Sequence, residues 1–370
     1  MKLITILGPT SSGKSEMAVE LANFYQSKNQ TSWIISCDSR QVYQFLNLGT
    51  GKIEGKWEKI NNIEYFIYKN HKHFLIDYIN PFETENLNYN LGRFVQDFID
   101  LFKKNLDLPD IVILVGGTGL YAKAVIENLD LEKITQPEKY QNYKNSLQKL
   151  IKSELQNLYL QNINNKKFQI LNNYELLAKY LSPNFTKSAF LQKKLIQDLQ
   201  TIFPDFQTFI SKNQKQEQIK LLNYDDFQNP RRLQSCLLKH FSQKNNWAEN
   251  YIYPNFEKKL TVAIEIETEI LKNRITKRLN QRIENGILEE SRNLLNLNLG
   301  ARKFLDLGLE YRQNWLYLHG FLTTVEWEQN LLKINIQYAR KQKIWLQKQK
   351  NINYIQNFQD LVELIESLGF

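Results

Sequence analysis

Gly8-Pro9-Thr10-Ser11-Ser12-Gly13-Lys14-Ser15 follows a short apolar run, Leu3 to Leu7, and leads into a segment whose apolar residues Met17, Val19, Leu21 and Phe24 recur near helical spacing. The octet fits the pattern Gly, four variable residues, Gly, Lys, Ser or Thr, in the strand, loop and helix setting that gives the pattern its meaning. Glycines in such a loop let backbone N–H groups wrap around a phosphate, and the helix N-terminus adds partial positive charge. In this loop Lys14 neutralises phosphate oxygens and Ser15 can hold Mg2+. The loop specifies a diphosphate or triphosphate and does not specify a nucleotide.

A loop of this kind needs a sheet behind it. Trp33 to Ser36 and Ile111 to Val115 are further short, continuous apolar runs, as expected of parallel strands covered on both faces, and Leu260 to Ile266 is a fourth. The predicted fold class is α/β, a P-loop NTPase-like parallel sheet flanked by helices, with ligands at the carboxyl ends of the strands. At 370 residues the chain exceeds the roughly 100–200 residues of one domain. Between Leu131 and Tyr224 it turns to long Lys/Gln/Asn/Leu segments with helical periodicity and almost no glycine. The expected division is residues 1–130 as the first part of the core, 131–224 as a helical insertion, and 225–370 as the second part with a basic helical C-terminal segment.

Asp38 stands where the second run ends, in Cys37-Asp38-Ser39-Arg40-Gln41-Val42-Tyr43, so its carboxylate should enter the crevice that holds the loop. Read alone it is a Mg2+ ligand, a general base or a helix cap. The third run ends in Gly116-Gly117-Thr118-Gly119-Leu120-Tyr121, where an NTPase often shows an acid for Mg2+-bound water. Here only a hydroxyl and close backbone approach are offered, which counts against ATP hydrolysis. Asn229-Pro230-Arg231-Arg232 and the pair Arg274 and Arg278 could hold phosphates, although the pair taken alone reads as a solvated charged face. His73 has no identifiable partner and is read as structural.

Lys and Arg number 48 against 39 Asp and Glu, a formal charge of +9, which makes a polyanionic partner plausible. The charge is uneven: from Gln329 to Phe358 the charged side chains are Lys333, Arg340, Lys341, Lys343, Lys348 and Lys350, all basic. Tyr338-Ala339-Arg340-Lys341-Gln342-Lys343-Ile344-Trp345 interleaves aromatic and basic groups at helical spacing, which suits RNA backbone contact and base stacking, with Tyr338 and Trp345 equally suited to a core. Two cysteines and four scattered histidines give no metal-ligand spacing and fit a reducing cytoplasm. No stretch nears the roughly 18 apolar residues of a membrane span, so no membrane association is expected.

Taken in order, GPTSSGKS, DSRQVY, HFLID, GGTGLY, NPRR, a GIL-EE helix at Gly286 to Glu290, and YARKQKIW resemble the bacterial tRNA dimethylallyltransferases, also called tRNA isopentenyltransferases, from Leu3 to about Trp345. The resemblance implies transfer of a dimethylallyl group from dimethylallyl diphosphate to N6 of the adenosine immediately 3′ of the anticodon in tRNA, with Mg2+ as cofactor. It implies that Thr10, Ser11, Ser12, Gly13, Lys14 and Ser15 cradle the diphosphate, that Asp38 is the general base, and that Thr118 orients the reacting amine. It also implies that an arginine after the Leu260 run, taken as Arg274 over Arg278, assists the diphosphate, and that the insertion at 131–224 contacts the anticodon arm. Asp38, Ser39, Arg40, Gln41 and Thr118, with Arg231, Arg232, Leu233, Gln234 and Ser235, would meet the anticodon stem-loop. A monomer in the cytoplasm is the expected state.

The sequence departs from the family pattern in places. His73-Phe74 stands for a usual His-His, and Ser235-Cys236-Leu237-Leu238 for R-A-L-E. Lys341 replaces an arginine, and Ile344 replaces a threonine. These positions bear on RNA contact more than on the diphosphate loop. The rival readings are a P-loop kinase or NTPase, a prenyltransferase of free adenine nucleotides, and a tRNA-binding protein without catalysis.

Overall fold

The four apolar runs become neighbouring strands. In the computed structural model, which describes residues 1–60, 63–83, 89–105, 107–129, 131–134, 248–297, 299, 304 and 307–370, β1 (Lys2–Leu7) lies between β6 (Ile111–Val115) and β9 (Lys258–Ile264), with β2 (Ser32–Ser36) beyond β6. The pairings are parallel, with Lys2 opposite both Ile111 and Lys258, and Ser36 opposite Val115. Leu3, Ile4, Ile6 and Ile111 through Leu114 are fully buried. Each such side chain contributes about 1.5–3 kcal/mol relative to exposure, which is why runs without polar alternation settle at the sheet centre.

The sheet has eight strands in the order β10-β9-β1-β6-β2-β5-β4-β3. β3 (Lys56–Ile60), β4 (Ile63–Tyr68) and β5 (His71–Phe74) form an antiparallel meander joined to β2 through β5, which is parallel to it. The meander reverses direction at one edge, where Lys56, Glu58 and Lys59 of β3 are the kind of charged side chains that protect an open edge from further pairing. β10 (Asn353–Ile355) closes the other end beside β9. His73 is buried in β5 opposite Ile34; burial holds its imidazole down to about 4, so it is neutral near pH 7.

Ile4 and Ile6 pack with α1 (Lys14–Ser27) and α8 (Phe358–Ser367), the latter started by a reciprocal Asn357 and Asp360 cap. Leu3 and Leu7 alternate to the opposite face, on the side of α3 (Gly119–Ile126), which packs with α2 (Leu91–Lys104). After β9 come α4 (Thr268–Glu284), α5 (Ile287–Asn296), α6 (Leu309–Leu318) and α7 (Thr324–Gln347). Gly286, left-handed at φ 92°, separates α4 from α5. Leu279, Ile287, Trp327 and Leu331 form the core of this helical layer.

By backbone proximity the chain falls into two units, Met1–Asp130 with Tyr251–Phe370, and Leu131–Asn250. The described part of the second is an antiparallel ribbon of β7 (Glu132–Ile134) and β8 (Ala248–Asn250). The helical character expected between 131 and 224 lies outside the described residues, as does the boundary at 224. Among the described residues no helix is long and apolar enough to cross a membrane.

Candidate active site

β1, β2 and β6 are adjacent and parallel, so the loops at their carboxyl ends meet, and these loops carry the three motifs singled out above. The first is the glycine loop. Gly13 is left-handed at φ 96° where α1 begins, and Ser11, at φ 62°, adopts a conformation uncommon for a residue with a side chain. Ser12 Oγ is buried without a hydrogen-bond partner in the ligand-free chain. A buried hydroxyl donor without a partner, beside the first amides of a helix, suits an oxyanion.

Lys14 donates from Nζ to the Pro9 carbonyl at 2.6 Å. Burial pulls its ammonium down to about 8, the nearby Arg278 cation pushes it further the same way, and Asp38 opposes them. A bound anion would restore the charge. Thr10 does not turn its backbone N–H into the loop: it donates to Gln342 Oε1 of α7 at 2.8 Å. Ser15 is half-buried in the first turn of α1.

The second motif is held in a tight turn. Asp38 Oδ1 accepts the backbone N–H groups of Arg40 at 2.8 Å and Gln41 at 3.2 Å. Oδ2 faces the third motif, lying 3.7 Å from where a Cβ on Gly117 would be. Thr118 Oγ1 accepts the Ser39 N–H at 3.2 Å, which ties the third loop to the second. The structure thus brings Lys14, Asp38 and Thr118 into one crevice.

The glycines of Gly116-Gly117-Thr118-Gly119 each admit a neighbour. A Cβ on Gly116 would lie 2.7 Å from Cys37 Sγ, one on Gly117 2.6 Å from Gln342 Nε2, and one on Gly119 2.4 Å from the Trp345 ring. Trp345 and Gln342 of the YARKQKIW segment therefore pack against the crevice. Arg340, Lys341 and Ile344 of the same segment are exposed, whereas the Tyr338 hydroxyl turns inward to the Gln342 side chain, and burial, with Asp38 nearby, pushes its pKa up. The helix divides the motif into a face that braces the crevice and a basic face open to solvent.

Arg278 reaches the crevice from α4. It donates to the Gly51 carbonyl at 2.5 Å, burial pulls its guanidinium down, and its charge is felt by both Lys14 and Asp38. Arg274 lies one turn earlier on the same helix and is exposed. Arg278 is thus the arginine fixed against the crevice, where the sequence favoured Arg274. The loop that Arg278 touches is held by two further charged side chains, half-buried Glu290 and buried Arg282. Glu290 accepts the N–H groups of Asn47, Leu48 and Gly49 at 2.7–2.9 Å, and Arg282 donates to the Leu48 and Gly49 carbonyls.

Arg231, Arg232, Leu233, Gln234 and Ser235 lie outside the described residues. Gln342 was not singled out from the sequence, yet a signal existed: Asn335, Ala339, Gln342 and Leu346 are buried, and their spacing of four, three and four is one helix face that carries amides among apolar groups. A buried amide on such a face must find partners.

A family model described as IPP transferase matches residues 41–175 and 157–349. The tRNA dimethylallyltransferase 1 of Azobacteroides pseudotrichonymphae genomovar. CFP2 is 30% identical over 369 residues, which is 98% of this chain and 94% of that one. The tRNA dimethylallyltransferase of Finegoldia magna is 24% identical over 364 residues, 98% of this chain and 93% of the relative. In fold the chain is similar to the full-length tRNA isopentenylpyrophosphate transferase of Bacillus halodurans, with TM-score 0.56, 20% identity and coverage of 99% and 95%. It is also similar in fold to a eukaryotic dimethylallyltransferase solved acting on tRNA, with TM-score 0.55, 18% identity and coverage of 96% and 74%. With a family match across most of its length and a relative alike from end to end, the chain belongs to the IPP transferase family.

Proposed function

We infer that this chain transfers a dimethylallyl group from dimethylallyl diphosphate to N6 of the adenosine immediately 3′ of the anticodon in tRNA, releasing diphosphate. The observation that carries the reading is the meeting of an anion loop with Asp38 and Thr118 across one crevice. A leaving diphosphate and a proton acceptor would then share the crevice in which the carbon reacts. The names of the relatives, tRNA dimethylallyltransferases, supply the class of substrate.

An exocyclic adenine amine is a weak nucleophile because its lone pair is delocalised into the ring. As N6 attacks C1 of the prenyl chain, Asp38 Oδ2 takes the amine proton while Oδ1 stays bonded to the Arg40 and Gln41 amides. The C1–O bond breaks, its electron pair leaves with diphosphate, and Lys14, the helix amides and the Ser12 hydroxyl meet the charge that develops. Arg278 adds positive charge from a fixed position, and Arg274 does so from the solvent side. Thr118 holds the acceptor amine. Asp38, Ser39, Arg40 and Gln41, with Arg231 to Ser235, contact the anticodon stem-loop, whose target base must leave its stack to reach the crevice.

Among the described residues no three His, Cys, Asp or Glu side chains gather as a metal cage. A magnesium site completed by substrate phosphates needs only one or two protein oxygens, and Ser15, in the first turn of α1, fits that role. Bound there, Mg2+ would offset charge on the diphosphate. We assign the chain as a monomer acting in the cytoplasm.

Mass spectrometry of an unmodified anticodon stem-loop, digested after incubation with the protein, Mg2+ and dimethylallyl diphosphate, tests the reading. A gain of one C5H8 unit on the adenosine 3′ of the anticodon is expected. Modification of another nucleotide, or none, would refute it.

A further inference from the structure

One side chain from α7 spans the crevice without belonging to any of its three motifs. Gln342 accepts the Thr10 N–H through Oε1 at 2.8 Å and donates from Nε2 to the Gly117 carbonyl at 2.9 Å. The same planar amide therefore joins the loop after β1 to the loop after β6. It is 9% exposed, and α7 is anchored on either side of it by buried Ala339 and Leu346. Trp345, one turn on, lies against Gly119 and braces the same loop. Gly117 is a glycine to good purpose, since a Cβ there would lie 2.6 Å from Gln342 Nε2.

The sheet fixes the roots of the two loops but not the gap between their tips. The first loop holds the group that leaves, and the loop at Gly117 and Thr118 holds the group that attacks. Displacement at carbon needs the reacting atoms about 3–3.5 Å apart and aligned, so the gap is a kinetic variable. We propose that Gln342 is a positioning residue that sets the distance between the diphosphate cradle and the acceptor loop. The inference rests on the prenyl transfer reading and adds to it a side chain that acts through the two loops it joins.

Gln342→Met keeps the length and loses both loop bonds together with the contact to the Tyr338 hydroxyl; Gln342→Glu keeps the acceptor for Thr10 and loses the donor to Gly117. Turnover of the Met variant is expected to fall roughly ten- to a hundredfold, the effect of about an ångström of misplacement, with KM for the stem-loop close to the parent and the protein still folded at the assay temperature despite a lower melting midpoint from the two groups left unpaired. The Glu variant, which retains one of the two bonds, should lie between Met and the parent. Hydrogen exchange over the peptide containing Thr10 should quicken in the Met variant, a readout that does not depend on catalysis. Parent-like turnover in the Met variant would overturn the proposal, as would unchanged exchange at Thr10, or a loss of turnover matched by loss of folded protein. If the parent itself transfers no prenyl group, the functional reading fails, and the exchange measurement still decides whether Gln342 joins the loops.

Discussion

Asp38 accepts the backbone N–H of Arg40 through Oδ1 at 2.8 Å, which leaves Oδ2 as the oxygen facing Gly117. The carboxylate is divided between holding its own turn and facing the acceptor loop. An asparagine carbonyl can keep the first task and cannot take up a proton. Asp38→Asn should therefore retain diphosphate binding and lose about two to four orders of magnitude in turnover, the range for general base catalysis. Turnover within a fewfold of the parent would remove Asp38 as the base.

Lys14 titrates near 8 in the ligand-free chain because burial and Arg278 disfavour its charge. The charged form prevails below that value and is the form that binds an anion. Affinity for inorganic diphosphate should then fall as pH rises through about 8, and binding near that pH should take up protons. Calorimetry in buffers of different ionisation enthalpy reads both effects. Lys14→Ala should abolish the pH step and weaken binding; an affinity that the substitution leaves unchanged would take the loop out of the mechanism.

Arg274 and Arg278 should separate in the same assay. Arg278 is bonded to the Gly51 carbonyl and half-buried, so Arg278→Ala should lower both turnover and the melting midpoint. Arg274 is exposed, so Arg274→Ala should lower kcat/KM for dimethylallyl diphosphate roughly ten- to a hundredfold at an unchanged midpoint. Parent-like kinetics in Arg274→Ala would leave Arg278 as the arginine at the diphosphate.

Much of this site was written in the sequence, because the strands that carry it are continuous apolar runs. Leu3 to Leu7, Trp33 to Ser36 and Ile111 to Val115 became β1, β2 and β6, and each motif sits where its strand ends. The β3 to β5 meander was not visible, since Lys56-Trp57-Glu58-Lys59-Ile60 is an edge strand whose charged residues break the apolar signal. Arg278 was passed over for Arg274, and Gln342 was not singled out, for a different reason. Arg278 donates to a backbone carbonyl, and Gln342 both accepts from and donates to the backbone, across 227, 332 and 225 positions of sequence. Backbone partners leave no mark in residue types. In the YARKQKIW motif the sequence left Tyr338 and Trp345 open between core and RNA, because aromatic and amide groups such as Trp345 and Gln342 suit either face.

That division of α7 predicts where RNA affinity resides. Arg340 and Lys341 are exposed, and replacing both with alanine should weaken stem-loop binding and reduce the slope of log affinity against log salt by roughly one to two. Filter binding over a salt series reads the slope. An unaltered slope would show that the basic face of α7 does not meet phosphate.

The central claim is tested most directly by labelled dimethylallyl diphosphate supplied with Mg2+ and either an anticodon stem-loop or AMP. Label in the stem-loop and none in AMP is the predicted result. Label in AMP alone would make the chain a modifier of free nucleotides, and label in neither, with ATP turned over instead, would contradict prenyl transfer altogether.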